Sequence, residues 1–581
     1  MTDLRVALLS SSTVELLERP LTAALEERGF TASLWTAGFN QYRQEILNAD
    51  SPLYRHEPDV VVLYLDGEDV FRELLQNPFG TAAARRHDAG SNLAEELSEL
   101  VRILSERLPR ATIILNTPPI DPVGAVTGLE YNSEWGIQEA VGAYLSRLRA
   151  IAAESSSVIV VDVAGLAASI GFDTWRDPRM WYLARARLSR RAMAALARAY
   201  ASAIVARMGR IRKCVAVDLD NTLWGGIIGE DGFEGIKLGE DGVGRAFAEF
   251  QEELLNLYRK GILLAICSKN NPADALQVIR EHPGMRLREE HFAAVRINWE
   301  DKASNLRNMA EELNIGLDSF VFLDDNPVER TWVRESTPEV LVPEWPADPV
   351  DYKRTLLELS RHHLQKLKIT AEDRKRGELY KAQAARRKLE SAGSSIEEFY
   401  RALEMKIRIG RADQFTIPRV AQLTQKTNQF NLTTRRYTEA EIRVAAEDPS
   451  TAVFWLELTD KFGPSGIVGV LILRMSGLGK WVIDTFLLSC RVMGRTVENA
   501  FLAAALREVD ATHVVGEYRP TAKNSPVKDL YARLGFDAAD ANGDAQVWSL
   551  DAPATRLTVP DWFEVSVSES AAGSQRAQAI P

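Results

Sequence analysis

The chain has 581 residues, 46% hydrophobic and 26% charged, an ordinary globular composition that at roughly 150 residues per domain suggests three or four domains. A formal net charge of −11 and a pI near 5.5 argue against nucleic acid or an anionic membrane as the main partner. Three cysteines, Cys214, Cys267 and Cys490, provide no disulfide framework, and neither a cationic-then-apolar leader nor a run of membrane-spanning length is present, so a cytoplasmic chain is expected.

Residues 1–207 alternate strand-like and helix-like pieces: LRVALLS, a helical pattern from Val14 to Arg28, PDVVVLYLD, a helix near Ala94 to Arg107, ATIILN and VIVVDV. Such alternation predicts a parallel α/β sheet. The layout resembles the flavodoxin-like fold of the SGNH hydrolases, with Ser10, Ser11, Ser12 and Thr13 after the first strand, where that family keeps its nucleophile. The Gly-Asp-Ser setting is missing, and Asp173 to Ser189 has no histidine; His56 and His87 are the segment's only two. The domain is therefore expected to bind or dock without hydrolysing anything.

A basic stretch from Arg207 to Lys213 leads into a second α/β segment, residues 208–369. Its first strand ends in VAVDLDNTLWGG, with Asp218 and Asp220 flanking one residue. Such a pair can act as nucleophile and proton shuttle at one phosphoryl group, though Asp-Asn-Thr can equally cap a helix or solvate a loop. Three later segments favour the first possibility. ILLAICSKNN ends in Ser268 beside Lys269 and Asn270, INWEDKASNL places Lys302 at a helix start, and VFLDDNPVER ends in Asp324 and Asp325. Parallel strands would deliver all of these to one carboxyl edge. The glycine- and acid-rich run from Gly225 to Gly242 predicts a small β-hairpin flap rather than a large cap domain. That would leave the site open to a bulky or tethered substrate, or in need of a lid from another domain.

These motifs, in this order, resemble the haloacid dehalogenase superfamily. The resemblance implies that Asp218 forms an aspartyl-phosphate, that Asp220 protonates the leaving group and then activates water, and that Ser268 and Lys302 hold phosphoryl oxygens. Asn270 and Thr222 join the substrate-binding set. Mg²⁺ would be held by Asp218, the Asp220 carbonyl and Asp325, with Asp324 in support. A hard cation prefers such oxygens, and the Lys302 charge offsets crowded carboxylates.

Residues 370–395 read as a charged linker helix ending in SAGSS. From 396 to 552 strands return, FWLELTDKFGPSGIVGVLILR and WVIDTFLLSCRV, followed by the helical run MGRTVENAFLAAALREV. This resembles the GNAT acyltransferase fold, in which an Arg-x-x-Gly loop and a helix N-terminus receive a pyrophosphate. Arg491, Gly494 and Arg495 fall in that loop, with Thr496 where a small residue is usual, and KNSPVKDLYARLGF resembles the late GNAT segment. Cys490, before the loop, lies where a helix N-terminus and arginines would lower its pKa; a buried structural cysteine is the alternative, and Cys267 is the rival nucleophile. TNQFNLTTRR offers Arg435 and Arg436 to a phosphorylated ligand, or is a solvated helix-terminal loop. With Arg491 and Arg495 they could form a basic patch for an acidic carrier. Residues 553–581 read as a tail, with a Ser-, Ala- and Gln-rich end after Val567.

The whole order, from DLDNTLWGGIIGEDG through CSKNN, DDNPVER and TNQFNLTTRR to LLSCRVMGRTVEN, resembles the FkbH-like proteins, a haloacid dehalogenase group of subfamily IIIC. That resemblance implies a glyceryl transferase/phosphatase acting on 1,3-bisphosphoglycerate, a phosphorylated three-carbon substrate, with a cysteine thioester that loads an acyl carrier protein for polyketide-type biosynthesis. Two other readings stand beside it: a Mg²⁺ phosphatase with a carrier-docking C-terminal domain, and a CoA-dependent acyltransferase fused to a phosphatase. The fold class expected is multidomain α/β: SGNH/flavodoxin-like, HAD-like Rossmannoid and GNAT-like α+β. The sequence defines neither an oligomeric state nor a final product.

Overall fold

The computed structural model describes residues 2–80, 82, 84–124, 127–134, 136–155, 157–367, 369, 396–489, 492–521, 524–542 and 545–568. The expected linker helix at 370–395, Cys490, Arg491 and the end of the tail lie outside the described residues. The chain divides into two units, the first being Met1–Arg210 with Arg361–Leu367 and the second Ile211–Ser360 with Lys368–Pro581. Residues 361–367, read from sequence as part of the second domain, belong with the first unit: Arg28 Nη1 donates to the His362 carbonyl at 2.8 Å, and Ser202 Oγ lies 3.3 Å from His362 Nδ1.

The first unit is built on β1 (Thr2–Ser10), β2 (Phe30–Thr36), β3 (Val60–Tyr64), β4 (Thr112–Asn116) and β5 (Val158–Val161), all parallel in the order β2-β1-β3-β4-β5. This is the flavodoxin-like strand order. Continuous apolar strands are what a sheet covered on both faces requires, and β3 and β4 are buried throughout. Alternate residues supply the two faces. Val6, Leu8 and Val62 pack with α1 (Glu18–Glu26) and α4 (Arg190–Arg207); Ala7, Leu9 and Val61 pack with α2 (Ala84–Arg107) and α3 (Gln138–Glu154).

The second unit contains two sheets. The four-stranded one, β8-β7-β6-β9, is wholly parallel: β6 (Cys214–Val217), β7 (Leu263–Ser268), β8 (Phe292–Ile297) and β9 (Phe320–Leu323). Between β6 and β7 lie α5 (Ile228–Gly235) and the amphipathic α6 (Gly242–Arg259); α7 (Pro272–Glu281), α8 (Lys302–Leu313) and α9 (Pro327–Ser336) follow. The expected hairpin flap is instead α5, kinked at Gly232, with its ends clasped by one antiparallel bridge, Gly225 to Lys237. Asp231 explains the difference: its carboxylate accepts from Ile227 N at 2.8 Å and closes a helical first turn. Gly226, at φ +100°, fits there because a Cβ would lie 2.5 Å from that carboxylate.

The larger sheet of this unit runs β16-β17-β15-β14-β13-β12-β10-β18. Its members are β10 (Met405–Arg411), β11 (Phe430–Asn431), β12 (Thr451–Asp460), β13 (Gly463–Gly477), β14 (Lys480–Leu488), β15 (His513–Tyr518), β16 (Asp537–Asn542), β17 (Ala545–Asp551) and β18 (Phe563–Val567). It is GNAT-like: mostly antiparallel, with β14 and β15 parallel only over Lys480–Ile483 before they diverge. The short β11 fills the divergence, pairing with Leu487 and Leu488, while Leu432 N donates to Phe486 and Arg519 N to Leu432. α10 (Ile417–Lys426) precedes β11, and α11 (Val497–Glu508) follows the loop after β14. The domain does not end at 552: β18 pairs in parallel with β10, so residues through Val567 belong to the sheet. Among the described residues, no helix is long and apolar enough to cross a membrane.

Candidate active site

Local sequence explains why the chemistry collects at one edge. Strands β6, β7 and β9 are parallel neighbours, so the residues after each emerge on the same side. Asn271 caps α7 and Asn326 caps α9, each with proline at the first helical position, while Asp301 caps α8. Each cap turns the chain just after or just before a chemical group: Ser268 and Asn270, Asp324 and Asp325, and Lys302.

The geometry joins four of the expected residues directly. Lys302 Nζ lies 3.1 Å from Asp218 Oδ1 and 2.6 Å from Asp324 Oδ2, and all three side chains are nearly or wholly buried. Carboxylate oxygens of Asp218, Asp324 and Asp325 come within 4.8 Å of one another. Asp218 Oδ1 is buried with no well-aligned hydrogen bond, although the ammonium is at ion-pair distance. A buried carboxylate oxygen so placed, among oxygen donors only, suits a hard divalent cation. Asp324 is otherwise engaged, since its second oxygen accepts from Asn326 N at 2.9 Å. Thr222 Oγ1 accepts from Asp325 N at 3.2 Å and lies 3.4 Å from Asp325 Oδ1, so it holds the doublet's loop.

Electrostatics follow the crowding. Burial and the Asp218 charge push the Asp324 carboxyl up to about 7, against the pull of Lys302. Lys302 is desolvated, yet Asp218 and Asp324 hold it above the usual lysine range, so the proton stays on the lysine. Burial also raises Asp220, opposed by hydrogen bonds from Ile228, Trp224 and Asn270, and raises Asp325. Ser268 is buried at the end of β7. Asn270 donates to Asp220 Oδ2 at 2.8 Å, which makes it a support for that carboxylate in this structure.

Two supports were not read from sequence. Arg330 donates from Nη1 to the carbonyls of Asp324 and Asp325 at 2.9 and 2.6 Å, fixing the doublet's backbone. Trp224, fully buried, donates to Asp220 Oδ1 at 2.9 Å. The only available signal was position: an arginine five residues after one acid and a tryptophan four after another.

The other expected residues that lie among the described ones bond elsewhere. Arg495, expected to meet a ligand or carrier, is buried and paired with Asp460 at 3.2 Å. Arg436 bonds the Thr424 and Thr427 carbonyls at the end of α10, and Arg435 pairs with buried Asp484. These arginines answer internal acids and orphan helix carbonyls. Gly494, at φ +77°, accepts from the Tyr400 hydroxyl at 2.7 Å through its carbonyl, and Trp562 Nε1 donates to Thr496 Oγ1 at 3.1 Å, so the loop before α11 is anchored. Cys214 and Cys267 are fully buried, and desolvation pushes both thiols up, a setting that disfavours the thiolate a nucleophile needs.

In the first unit, Ser10 and Ser12 bond each other, and Ser11 meets an acid. Ser11 Oγ donates to Asp69 at 3.1 Å and accepts from Asp66 N at 3.0 Å. Asp66 pairs with Arg176 at 2.7 Å and Asp69 with Arg187 at 2.8 Å. His56 precedes β3 and so lies toward the opposite edge.

Fold and site together define a multidomain α/β protein whose middle sheet carries a polyacidic, oxygen-lined centre. Residues 5–205 match the family described as FkbH, N-terminal domain. The N-terminal part of the protein BF1531 from Bacteroides fragilis, whose crystal structure is described as containing a phosphatase domain complexed with Mg, is 32% identical, covering 63% of this chain and 95% of its own, with a TM-score of 0.58. The chain belongs to the FkbH-like family. The ribosomal-protein-S18-alanine N-acetyltransferase from Escherichia coli is 15% identical, covering 27% of this chain and 97% of its own, with a TM-score of 0.20. Rv2747 from Mycobacterium tuberculosis, in complex with CoA and NLQ, is 14% identical, covering 25% and 98%, with a TM-score of 0.20. Comparison with curated protein sequences gives no match.

Proposed function

We propose that the chain is a haloacid dehalogenase-type, Mg²⁺-dependent phosphatase coupled to glyceryl transfer, with 1,3-bisphosphoglycerate as substrate and an acyl carrier protein in polyketide-type biosynthesis as acceptor. The observation that carries the phosphatase half is the convergence of Asp218, Lys302, Asp324 and Asp325 at one sheet edge, with Asp220 two residues from the nucleophile. Mg²⁺, held by Asp218, Asp325 and the Asp220 carbonyl, would screen the phosphate charge; Asp324 supports the set through Lys302.

The residues then have distinct tasks. The Asp218 carboxylate attacks phosphorus while the bond to the leaving oxygen breaks, and Asp220 gives that oxygen its proton. Water attacks the aspartyl-phosphate, Asp220 takes the water proton, and phosphate departs as the bond to Asp218 breaks. Ser268 and Lys302 hold phosphoryl oxygens. In the transfer half, the Cys490 thiolate displaces phosphate from the acyl phosphate to form a thioester, and the pantetheine thiol of the carrier takes the acyl group. Burial of Cys214 and Cys267 supports Cys490 by elimination.

A carrier-borne substrate is supported by the apolar edge near the site. Trp299 and Val328 are 75% and 72% exposed, and Trp332, half exposed, donates to the α8 cap Asp301 at 3.2 Å. One observation weighs against the expected basic patch for a carrier and so favours a plainer phosphatase: Arg435, Arg436 and Arg495 all bond internal groups. Intact-protein mass measurement after incubation with 1,3-bisphosphoglycerate separates the readings. A glyceryl adduct absent from Cys490→Ala supports the relay; phosphate release without an adduct supports the phosphatase, and acetyl transfer from CoA the acyltransferase.

A further inference from the structure

Asp220 is gripped by the segment that follows it. Its Oδ1 accepts from Trp224 Nε1 at 2.9 Å and from the backbone of Ile228, the first residue of α5, at 3.2 Å. Its Oδ2 accepts from Asn270 Nδ2 at 2.8 Å. A carboxylate has about four lone-pair positions, so three fixed donors leave one direction for a reacting group. Of the donors on Oδ1, Ile228 belongs to the flap and Trp224 immediately precedes it; the flap's ends are clasped by the Gly225–Lys237 bridge and by Gly226 N donating to Asn221 Oδ1 at 2.9 Å. The buried indole N–H needs a partner, and the one it takes here is the Asp220 carboxylate itself.

We propose that Trp224 is a positioning residue, and that the flap works as a bracket orienting Asp220 rather than as a cover. This rests on the phosphatase reading given above. When Asp218 displaces an alcohol from phosphorus, the Asp220 proton passes to the departing oxygen. An alkoxide needs that proton and a nitrophenolate hardly does, so in the step that forms the aspartyl-phosphate misorientation of Asp220 matters chiefly for the poor leaving group, whereas the later water attack is common to both esters.

The test uses the full chain with Mg²⁺, comparing glycerol phosphate with p-nitrophenyl phosphate. In Trp224→Phe, kcat/KM, which reports the steps up to departure of the leaving group, is expected to fall about tenfold or more on the alkyl ester and less than about threefold on the aryl ester. Asn270→Ala, which removes the donor on the other oxygen and leaves the aromatic core intact, should show the same bias. Asp220→Asn should show it more strongly, and adding Trp224→Phe to Asp220→Asn should cost nothing further. Equal losses on both esters, or full additivity in the double variant, would overturn the positioning role while leaving the phosphatase reading in place. A wild-type chain that releases phosphate from neither ester would overturn both.

Discussion

Lys302 Nζ lies 2.6 Å from Asp324 Oδ2, and this pair, 3% and 0% exposed, forms the electrostatic keel of the middle sheet. Removing one partner of a buried pair leaves the other uncompensated, at about 3–5 kcal/mol. Lys302→Met should therefore lower stability by about that much in metal-free protein and abolish phosphate release. Adding Asp324→Asn should restore part of the stability. Urea unfolding measures both, and an unchanged midpoint in Lys302→Met would contradict the arrangement.

Asp218→Asn should stop phosphate release altogether while Mg²⁺ binding, followed by calorimetry, weakens only in part, because Asp325 and a backbone carbonyl remain. Undiminished turnover would remove Asp218 as the nucleophile.

Asp484 makes the stability of the C-terminal sheet pH-dependent. Burial pushes its carboxyl up, but the Tyr437 hydroxyl, Arg435 and Arg474 outweigh this and hold it below the usual carboxylate range. A depressed folded pKa gives stability that is full above the unfolded value, near 4, and lost as pH falls through the folded one. Asp484→Asn should lose about 1–3 kcal/mol at neutral pH, and the gap from wild type should close toward pH 2. Denaturant midpoints across that range test it; a constant gap would show that Asp484 is not the titrating group.

Native protein treated with iodoacetamide should be labelled at neither Cys214 nor Cys267, both sealed in β6 and β7. Cys267→Ala should retain any glyceryl adduct. Peptide mapping that finds alkylated Cys267 before unfolding would reopen its candidacy.

The placement of the candidate residues was legible in the sequence where a strand end fixes it. A buried parallel strand points its next residues to one edge whatever else the fold does, so Asp218, Ser268 and Asp324 could be grouped from pattern alone. Trp224 and Arg330 were not legible, because their donors find partners only once the chain has turned back on itself. The arginines of TNQFNLTTRR and of the loop before α11 looked free for the same reason: Asp484 and Asp460 lie 49 and 35 residues away. The flap was misread because glycine and acidic residues mark turns and helix starts alike, and the Asp231 contact with Ile227 decides between them.

The pairing of β18 with β10 bears on how the gene is cut for expression. A clone stopped after residue 552 would strip the outermost ribbon from the C-terminal sheet and bare the hydrogen-bonding side of Met405–Arg411. Such a product invites intermolecular strand addition and precipitation, so a stop codon placed beyond Ser568 is the safer boundary.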